Sequence, residues 1–304
     1  MNTLFFGTPG LAVPFLEQVN QKTKISAVIT TPDQPAGRGY ELKASEVKRA
    51  ALRLALPVLQ PESLKQVGVS DALRALAAEI GIVVAYGKLL PKDVLAIPKY
   101  GFLNVHFSLL PKYRGAAPIQ WALINGETET GVTLFWLDEG MDTGPIFLQK
   151  KIAIEPEDDA ESLRNNLVAL GVLALGEALD LLGQGQIKKV PQSGVSSQAP
   201  ILKKEDGLMD WAQPAQTICN QIRGMTPWPG THWGPLKILK ANPVFEAGNA
   251  PAGTVISLVS GEGPVVKCGQ DSLALLHVQP EGKKPMSAWS WWQGARLKVG
   301  DKLR

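Results

Sequence analysis

The sequence predicts an α/β protein in which a domain built on a mostly parallel sheet is followed by a smaller β-barrel domain. In the first two-thirds of the chain, apolar runs alternate with helix-like stretches, a pattern typical of βαβ units. Between residues 183 and 207 the composition changes to Gly, Gln, Ser, Pro and Lys with little periodicity, as in a linker. Short apolar runs separated by turn residues follow. We therefore expect domains at 1–182 and 208–304, joined by a linker at 183–207.

Seven apolar runs predict the strands of the first domain. In chain order they are Thr3–Phe6, Ile25–Thr30, Val58–Gln60, Ile82–Ala85, Leu103–Phe107, Gly131–Trp136 and Ile146–Ile154. Helix-like segments lie between most of these runs, which favours parallel pairing because a parallel crossover needs a long connection.

Three helices of this domain have local signals. Pro14 fits the first turn of a helix that ends near Val19, and Ser45 is a good N-cap for a helix that runs to Leu56. Glu161–Leu182 has strong helical periodicity, so one apolar face of that helix should be buried. The face consists of Leu163, Leu167, Leu170, Ala174, Ala178 and Leu182.

The second domain is predicted to contain one helix, Ala215–Arg223, and several short strands. The strands are Leu236–Lys240, Gly253–Leu258, Pro264–Cys268 and Leu273–Gln279. Short strands at this spacing indicate a small barrel, which we expect to be OB-like, a type that often binds oligonucleotides. Trp289, Trp291 and Trp292 are able to stack on bases. Aromatic residues of a small barrel are more often core, and we expect at least one of the three to be buried.

Composition excludes several classes of protein. The two cysteines, Cys219 and Cys268, are far apart and are predicted to be unpaired buried thiols, and no clustered Cys/His pattern indicates a zinc site. No stretch approaches eighteen uninterrupted apolar residues, so no membrane span is expected. Because Met1–Phe6 already has the pattern of a core strand, we expect no signal peptide and a cytoplasmic location. We also expect a monomer.

The positive charge is unevenly distributed. Residues 208–304 contain ten Lys or Arg and six Asp or Glu. Residues 1–207 contain 21 Lys or Arg and 22 Asp or Glu. This excess is a weak indication of nucleic-acid contact, and a solvated surface of mixed charge explains it nearly as well. The basic residues that are able to contact phosphates there are Lys237, Lys240, Lys267, Arg296 and Lys298.

One segment carries a pattern typical of acyl-transfer chemistry. Asn104 and His106 are two residues apart on a predicted strand, so both side chains project from the same face of the sheet. Asp142 follows in a Gly-flanked loop. A hydrogen-bond donor, an imidazole and a carboxylate form a plausible site of this kind, although Asn-x-His is common by chance. The turn at Phe6–Gly10 lacks the GxGxxG spacing, which disfavours a nicotinamide-dependent dehydrogenase.

These residues together resemble the formyltransferases that use 10-formyltetrahydrofolate. The matching segments extend along almost the whole chain. These segments are Phe6–Pro9, Ala12–Pro14, Thr31–Gly39, Ala85–Lys88, Asn104, His106, Ser108–Pro111, Arg114–Gly115, Asp142–Gly144, Ile222–Gly230 and Gly294–Lys302. Gly10-Leu11 and Tyr40-Glu41 depart from the family's pattern. The resemblance implies a Rossmann-like formyltransferase domain and no metal.

The resemblance also implies roles for individual residues. Asn104, His106 and Asp142 would be catalytic, with the Asn104 amide and a protonated His106 stabilising an oxyanion and Asp142 favouring the imidazolium. The expected folate contacts are Tyr86, Gly87, Leu89, Ser108, Leu109, Leu110, Pro111, Asp138 and Gly140. We expect the loops that contain them, 85–91, 108–111 and 137–141, to meet at one edge of the sheet.

The C-terminal matches imply that the acceptor is the α-amino group of initiator methionyl-tRNA. The long loop Gln34–Ser45 would reach the tRNA, and its expected contacts are Gly37, Arg38, Gly39 and Lys43. Two alternatives remain open. The same chemistry on a small amine would leave the second domain unexplained, and a non-catalytic RNA-binding protein would leave the three catalytic residue types unexplained.

Overall fold

Strand β1 (Asn2–Gly7) has the buried, apolar character of a central strand, and it lies inside a seven-stranded sheet. The structure is a computed structural model that describes residues 1–36, 41–245 and 249–303. It divides into two units. The first contains Met1–Gly115, Thr130–Ile152 and Asn166–Gln198; the second contains Ala116–Glu129, Ala153–Asn165 and Ala199–Arg304.

The other strands that precede the six-stranded sheet of the second unit follow in chain order. They are β2 (Lys24–Ile29), β3 (Gln34–Ala36), β4 (Glu41–Lys43), β5 (Val58–Leu59), β6 (Ile80–Val84), β7 (Phe102–His106), β8 (Arg114–Gly115), β9 (Glu129–Trp136), β10 (Ile146–Ala153) and β11 (Gln198–Ala199). The helices are α1 (Val13–Lys22), α2 (Glu46–Arg53), α3 (Val69–Ala75), α4 (Lys92–Leu95), α5 (Pro118–Ile124), α6 (Ala160–Gly183), α7 (Ala215–Met225) and α8 (Ala288–Ala295).

The seven strands of the first sheet are ordered β10-β9-β7-β6-β1-β2-β5. The four pairings from β5 to β7 are parallel, and β9 pairs with β7 in the antiparallel sense. All seven predicted strands are present in this sheet, within two residues of the expected bounds. The predicted α/β class with a mostly parallel sheet is therefore confirmed.

The predicted helices of the first domain also form. Ser45 is the N-cap of α2, where its hydroxyl accepts a hydrogen bond of 3.0 Å from the Lys48 N–H. Helix α6 packs closely on α1, since a Cβ atom added at Gly171 would lie 2.8 Å from Phe15 Cζ. Helices α3, α4 and α5 were not predicted from the sequence.

Helix α6 has the length and hydropathy of a membrane-spanning helix, and no other helix among the described residues does. Length and composition are weak evidence, because core helices of soluble proteins pass the same test. Leu167, Ala174 and Ala178 of α6 are completely buried within the protein. This burial is what the predicted apolar face of the helix requires.

The second unit contains an antiparallel sheet of six strands. They are β12 (Thr231–Trp233), β13 (Leu236–Val244), β14 (Val255–Val259), β15 (Gly263–Lys267), β16 (Ser272–Pro280) and β17 (Met286–Ser287). Their order is β12-β13-β16-β15-β14, with β17 paired to β16. This sheet is the C-terminal β domain that the short apolar runs predicted.

The core of the second unit contains side chains from α7, α8 and the sheet. Cys219 and Cys268 are both free and buried in it, as predicted. The tryptophans near the C-terminus belong to helix α8, which Ser287 caps, and Trp292 is buried in the core. Lys267 is also buried, with Nζ donating to the Asp271 carbonyl, so it is not the solvated surface charge that was the alternative to a phosphate contact.

The two units do not correspond to a single cut of the chain. Residues 116–129 and 153–165 group with the C-terminal part, and residues up to Gln198 group with the first sheet. The proposed boundaries at 182, 207 and 208 stay a prediction.

Candidate active site

Asn104 and His106 lie on β7, opposite Phe135 and Thr133 of β9. Because directly opposed residues of an antiparallel pair share a face, the four side chains project to the same side of the sheet. The Phe135 ring meets the His106 ring edge to face, with 6.3 Å between the ring centroids. The alternation of the strand therefore brings the predicted amide and imidazole to one surface.

The His106 ring is almost completely buried and has two polar neighbours. Nε2 lies 2.9 Å from the Tyr113 carbonyl oxygen, which accepts hydrogen bonds and does not donate them, so Nε2 must carry a hydrogen. In the neutral ring Nδ1 then has a free lone pair. Nδ1 lies 3.6 Å from Asp142 Oδ2.

The pKa of His106 is lowered from 6.5 because burial disfavours the charged ring. The Asp142 carboxylate and the bond to the Tyr113 carbonyl act in the opposite direction without outweighing burial. Burial therefore favours the neutral ring. The expected imidazolium considered the carboxylate but not the burial.

Asp142 is held in the loop between β9 and β10 in a left-handed backbone conformation, with φ of 55°. Its Oδ2 accepts a hydrogen bond of 2.8 Å from the Gly115 N–H. Gly144 allows the loop to pass close to β9, since a Cβ there would lie 1.7 Å from the Trp136 carbonyl oxygen. Non-glycine residues in this conformation are uncommon and often occur at functional sites.

The Asp142 loop does not leave the sheet at the same end as the loops after β6 and β7, and the expected meeting of 85–91, 108–111 and 137–141 stays a prediction. Because β9 is antiparallel to β7, the loop begins at the amino end of β7, where Leu137 N–H donates to the Phe102 carbonyl at 2.8 Å. The loops after β6 and β7 begin at the opposite edge. The Asp142 loop therefore folds back along the sheet to reach His106, and Lys92 Nζ, 2.9 Å from Glu139 Oε1, links it to the start of α4.

Asn104 differs from its neighbours because it is partly exposed on a strand that is otherwise buried. Its carboxamide makes no hydrogen bond with any residue that the structure describes. Both amide N–H groups are thus open to a ligand that lies against this face of β7.

The turn Ser108–Pro111 is held by an internal network. The Ser108 hydroxyl donates to the Lys112 carbonyl at 2.7 Å, and the Thr133 hydroxyl donates to the Ser108 carbonyl at 2.6 Å. The Leu110 N–H donates to Thr133 Oγ1 at 3.1 Å, and Gln149 Nε2 donates to the Leu110 carbonyl at 2.8 Å.

This network leaves the main chain of the turn as the part of Ser108 and Leu110 that a folate is able to contact. The side chains of both residues are buried, and their predicted contact with folate stays a prediction. Leu109 and Pro111 are partly exposed and stay predicted contacts.

The loop after β6 shows a similar division. The Tyr86 ring is in the core, where it packs edge to face on Phe6, and burial raises the pKa of its hydroxyl to about 12. A ligand at this edge reaches only main-chain atoms of Tyr86, and the predicted contact of this residue with folate stays a prediction. Gly87 and Leu89 are exposed and stay predicted contacts.

Asp138 and Gly140 stabilise their own loop. Asp138 Oδ1 accepts hydrogen bonds from the Gly140 N–H at 3.0 Å and from the Thr143 hydroxyl at 2.7 Å. Both residues are exposed, and their contact with folate stays a prediction.

Three of the four predicted tRNA contacts, Gly37, Arg38 and Gly39, lie outside the described residues. The fourth, Lys43, is exposed on β4, which pairs with β3. Its Nζ lies 3.9 Å from Glu46 Oε1. Across residues 1–36, 41–245 and 249–303, no group of three or more His, Cys, Asp or Glu residues is arranged to hold a metal ion.

Comparison with known families accounts for this arrangement. The family model for formyl transferases matches residues 1–179, and the model for the formyl transferase C-terminal domain matches residues 201–296. The chain belongs to the formyl transferase family. The family resemblance expected from the sequence motifs is therefore confirmed.

Relatives within the formyl transferase family match nearly the whole chain. A methionyl-tRNA formyltransferase from Thermodesulfovibrio yellowstonii is 47% identical over 302 residues, covering 98% of this chain and 97% of the relative. A methionyl-tRNA formyltransferase from Pelotomaculum thermopropionicum is 44% identical over 305 residues, covering 99% of this chain and 97% of the relative.

Solved structures show the fold at lower identity. An N-formyltransferase from Helicobacter canadensis, in complex with folinic acid and dTDP-3-aminofucose, has a TM-score of 0.68 at 20% identity, covering 90% of this chain and 98% of that one. HypX from Aquifex aeolicus, in complex with tetrahydrofolic acid, has a TM-score of 0.63 at 18% identity, covering 98% of this chain and 48% of that one.

Several contacts of this candidate site were not predicted from the sequence. Tyr113 and Gly115 supply main-chain partners to His106 and Asp142, and although Gly115 belongs to a matching segment, neither residue was assigned a role. Thr133 lies within a predicted strand, and no local pattern indicated its contacts with the Ser108–Pro111 turn. Gln192 contacts the Asp142 loop from the predicted linker, and no local pattern marked it.

Proposed function

We propose that Asn104, His106 and Asp142 carry out the formyl transfer of this protein. The chain moves the formyl group of 10-formyltetrahydrofolate to methionyl-tRNA, the acceptor named for relatives 42–47% identical over nearly its full length. The observation that carries the proposal is the direction of His106 Nδ1, which faces a carboxylate on the same side of β7 as a free carboxamide.

The reaction begins with a neutral amine. Free α-amines titrate near pH 7.7–8.0, so part of the acceptor is already unprotonated at neutral pH. Its nitrogen attacks the formyl carbon and forms the new C–N bond, while the carbonyl electron pair moves to oxygen. The Asn104 amide donates a hydrogen bond to this oxyanion, an interaction whose removal typically costs about 10²–10³ in rate.

Proton transfer follows through His106. Its Nδ1 lone pair takes the proton that the attacking nitrogen must lose, and the Asp142 carboxylate stabilises the imidazolium that results. When the oxyanion collapses, the bond to the folate nitrogen breaks, and His106 returns the proton to that nitrogen. The base thus ends the cycle neutral, the form that its burial favours.

Specificity for the initiator tRNA is a second part of the proposal. We expect Gly37, Arg38, Gly39 and Lys43 to contact the acceptor end, and the exposure of Lys43 is compatible with a phosphate contact. We further propose a monomeric, cytoplasmic protein. The small-amine alternative is less well supported, because the relatives named for methionyl-tRNA match residues of both domains.

The deciding experiment offers the purified protein formylated folate with one of three acceptors: charged initiator tRNA, charged elongator tRNA or free methionine. Transfer to the initiator tRNA alone is expected. Equal use of free methionine would contradict acceptor selection while leaving the chemistry intact.

His106→Ala and Asp142→Ala should lower the single-turnover rate of formyl transfer by orders of magnitude, whereas His277→Ala, at an exposed position, should not.

A further inference from the structure

The predicted linker contains a segment that is bonded to the loops of the active site. We call residues 188–197 the strap. The Trp136 indole N–H donates to the Lys188 carbonyl at 2.7 Å, and Val190 and Ile146 exchange two main-chain hydrogen bonds of 2.7 and 2.9 Å. Farther along the strap, Ser197 Oγ accepts a bond of 2.9 Å from the Tyr113 N–H.

Gln192 is the residue of the strap that reaches Asp142. Its Nε2 donates to the Asp142 carbonyl at 2.8 Å and to the Gly144 carbonyl at 2.9 Å. Its Oε1 accepts from Arg114, at 2.6 Å from Nη2 and 3.3 Å from Nε. One side chain thus uses its full donor and acceptor capacity on two loops. Gln192 is partly buried, although Pro191 and Ser193 on either side are exposed.

The two loops that Gln192 joins hold the two partners of His106. The loop of Asp142 carries the carboxylate that faces Nδ1. The turn of Arg114 carries the Tyr113 carbonyl that fixes Nε2 and the Gly115 N–H that holds the carboxylate. A relative shift of these loops would therefore change the surroundings of both ring nitrogens.

We propose that Gln192 is a positioning residue that holds Asp142 beside His106 during formyl transfer. The inference rests on the proposed roles of those two residues. Asp142 has a left-handed main chain, and Gln192 bonds this main chain from outside the loop. Only an amide of this length both donates to the two carbonyls and accepts from the guanidinium.

Two substitutions of Gln192 separate these contacts, and a third variant is the control. Gln192→Met keeps the length of the side chain and removes all its hydrogen bonds. Gln192→Glu keeps the acceptor for Arg114 and removes both donors to the Asp142 loop. Gln186→Ala is the matched control, because Gln186 is an exposed glutamine of the predicted linker whose side chain bonds only Gln184 among the described residues.

The expected result is a fall in kcat of about 10-fold or more for Gln192→Met and Gln192→Glu, since small misplacements of catalytic groups cost up to about 10²-fold. The KM for methionyl-tRNA should change less than about 2-fold, and Gln186→Ala should behave as the native protein. Native kcat in Gln192→Met would overturn the inference.

A double-mutant cycle distinguishes positioning from general support of the fold. If Gln192 acts through Asp142, adding Gln192→Met to Asp142→Asn should lower kcat by less than about 2-fold more. An equal loss in both backgrounds would overturn the inference. Full activity of Asp142→Asn alone would instead contradict the proposed function, so the two failures are distinguishable.

Discussion

The protonation state of His106 is set by burial, and this has a direct consequence for catalysis. The ring packs on Phe135 with little access to water, so its pKa lies below the ordinary value of 6.5 despite the nearby Asp142. The sequence predicted the position of this histidine from the two-residue spacing to Asn104. It did not predict the neutral state, because burial depends on β9, which is distant in sequence.

The first prediction concerns pH. Because the proposed base is active when neutral, the part of kcat/KM that depends on His106 should fall only as the pH drops through a pKa below 6.5. Asp142→Asn removes the charge that raises this pKa and should lower it further. Titration of the ¹⁵N-labelled histidine rings by NMR measures the value directly. A His106 pKa above 6.5 would contradict the prediction.

The second prediction separates catalysis from stability at Asn104. Asn104→Ala should lower kcat by about 10²–10³-fold, the typical cost of one oxyanion donor. The urea midpoint should stay nearly the same, since the carboxamide bonds none of the described residues. Stopped-flow single-turnover assays and urea titrations check the two parts. A large loss of stability with normal turnover would exclude the proposed role.

At the scale of elements, the turn after β7 depends on a strand that follows it in the chain. Thr133 of β9 donates to the Ser108 carbonyl and accepts from the Leu110 N–H. Its position opposite His106 results from the antiparallel register of β7 and β9. The turn and the histidine are thus held by the same two strands.

The third prediction tests this support. Thr133→Val keeps the shape of the side chain but leaves the buried Leu110 N–H without its partner, which should cost about 1–3 kcal/mol of unfolding free energy. The exposed control Thr128→Val should change it by less than about 0.5 kcal/mol. Urea unfolding curves of both variants give the comparison, and equal midpoints would contradict the role of the network.

Much of the fold followed from local patterns, whereas the course of the site loops did not. Apolar runs predicted all seven strands of the first sheet, and Ser45 predicted the start of α2. The direction of β9 was not predicted, because it is decided by long-range pairing. Helix α8 was missed because Trp289, Trp291 and Trp292 were interpreted as barrel aromatics, although Ser287 is a helix-capping residue.

At the scale of the whole molecule, charge is the property most relevant to a polyanionic substrate. The net charge is only +3, and the excess of basic residues lies beyond residue 208. Lys240, Arg296 and Lys298 of that region are exposed, unlike Lys267. The number of basic residues was available from the sequence, but their accessibility required the structure.

The fourth prediction follows from this distribution. The KM for charged tRNA should rise steeply with salt while the KM for the folate changes little, because only the tRNA releases many counterions. Lys240→Ala should lower the slope of log KM for tRNA against log salt concentration by about 1. Lys65→Ala, at an exposed position in the first unit, should leave this slope unchanged. Steady-state assays at several salt concentrations measure the slope. Identical slopes for native protein and Lys240→Ala would exclude that phosphate contact.

The burial of both cysteines makes the molecule suitable for site-specific labelling. Burial raises the pKa of Cys219, and it raises the pKa of Cys268 to about 12, so neither thiol forms the reactive thiolate readily. A cysteine introduced at exposed Leu42 would react with a maleimide dye far faster than the native pair. A fluorophore attached there would test the proposed contact of tRNA near β4, with the natural cysteines left in place.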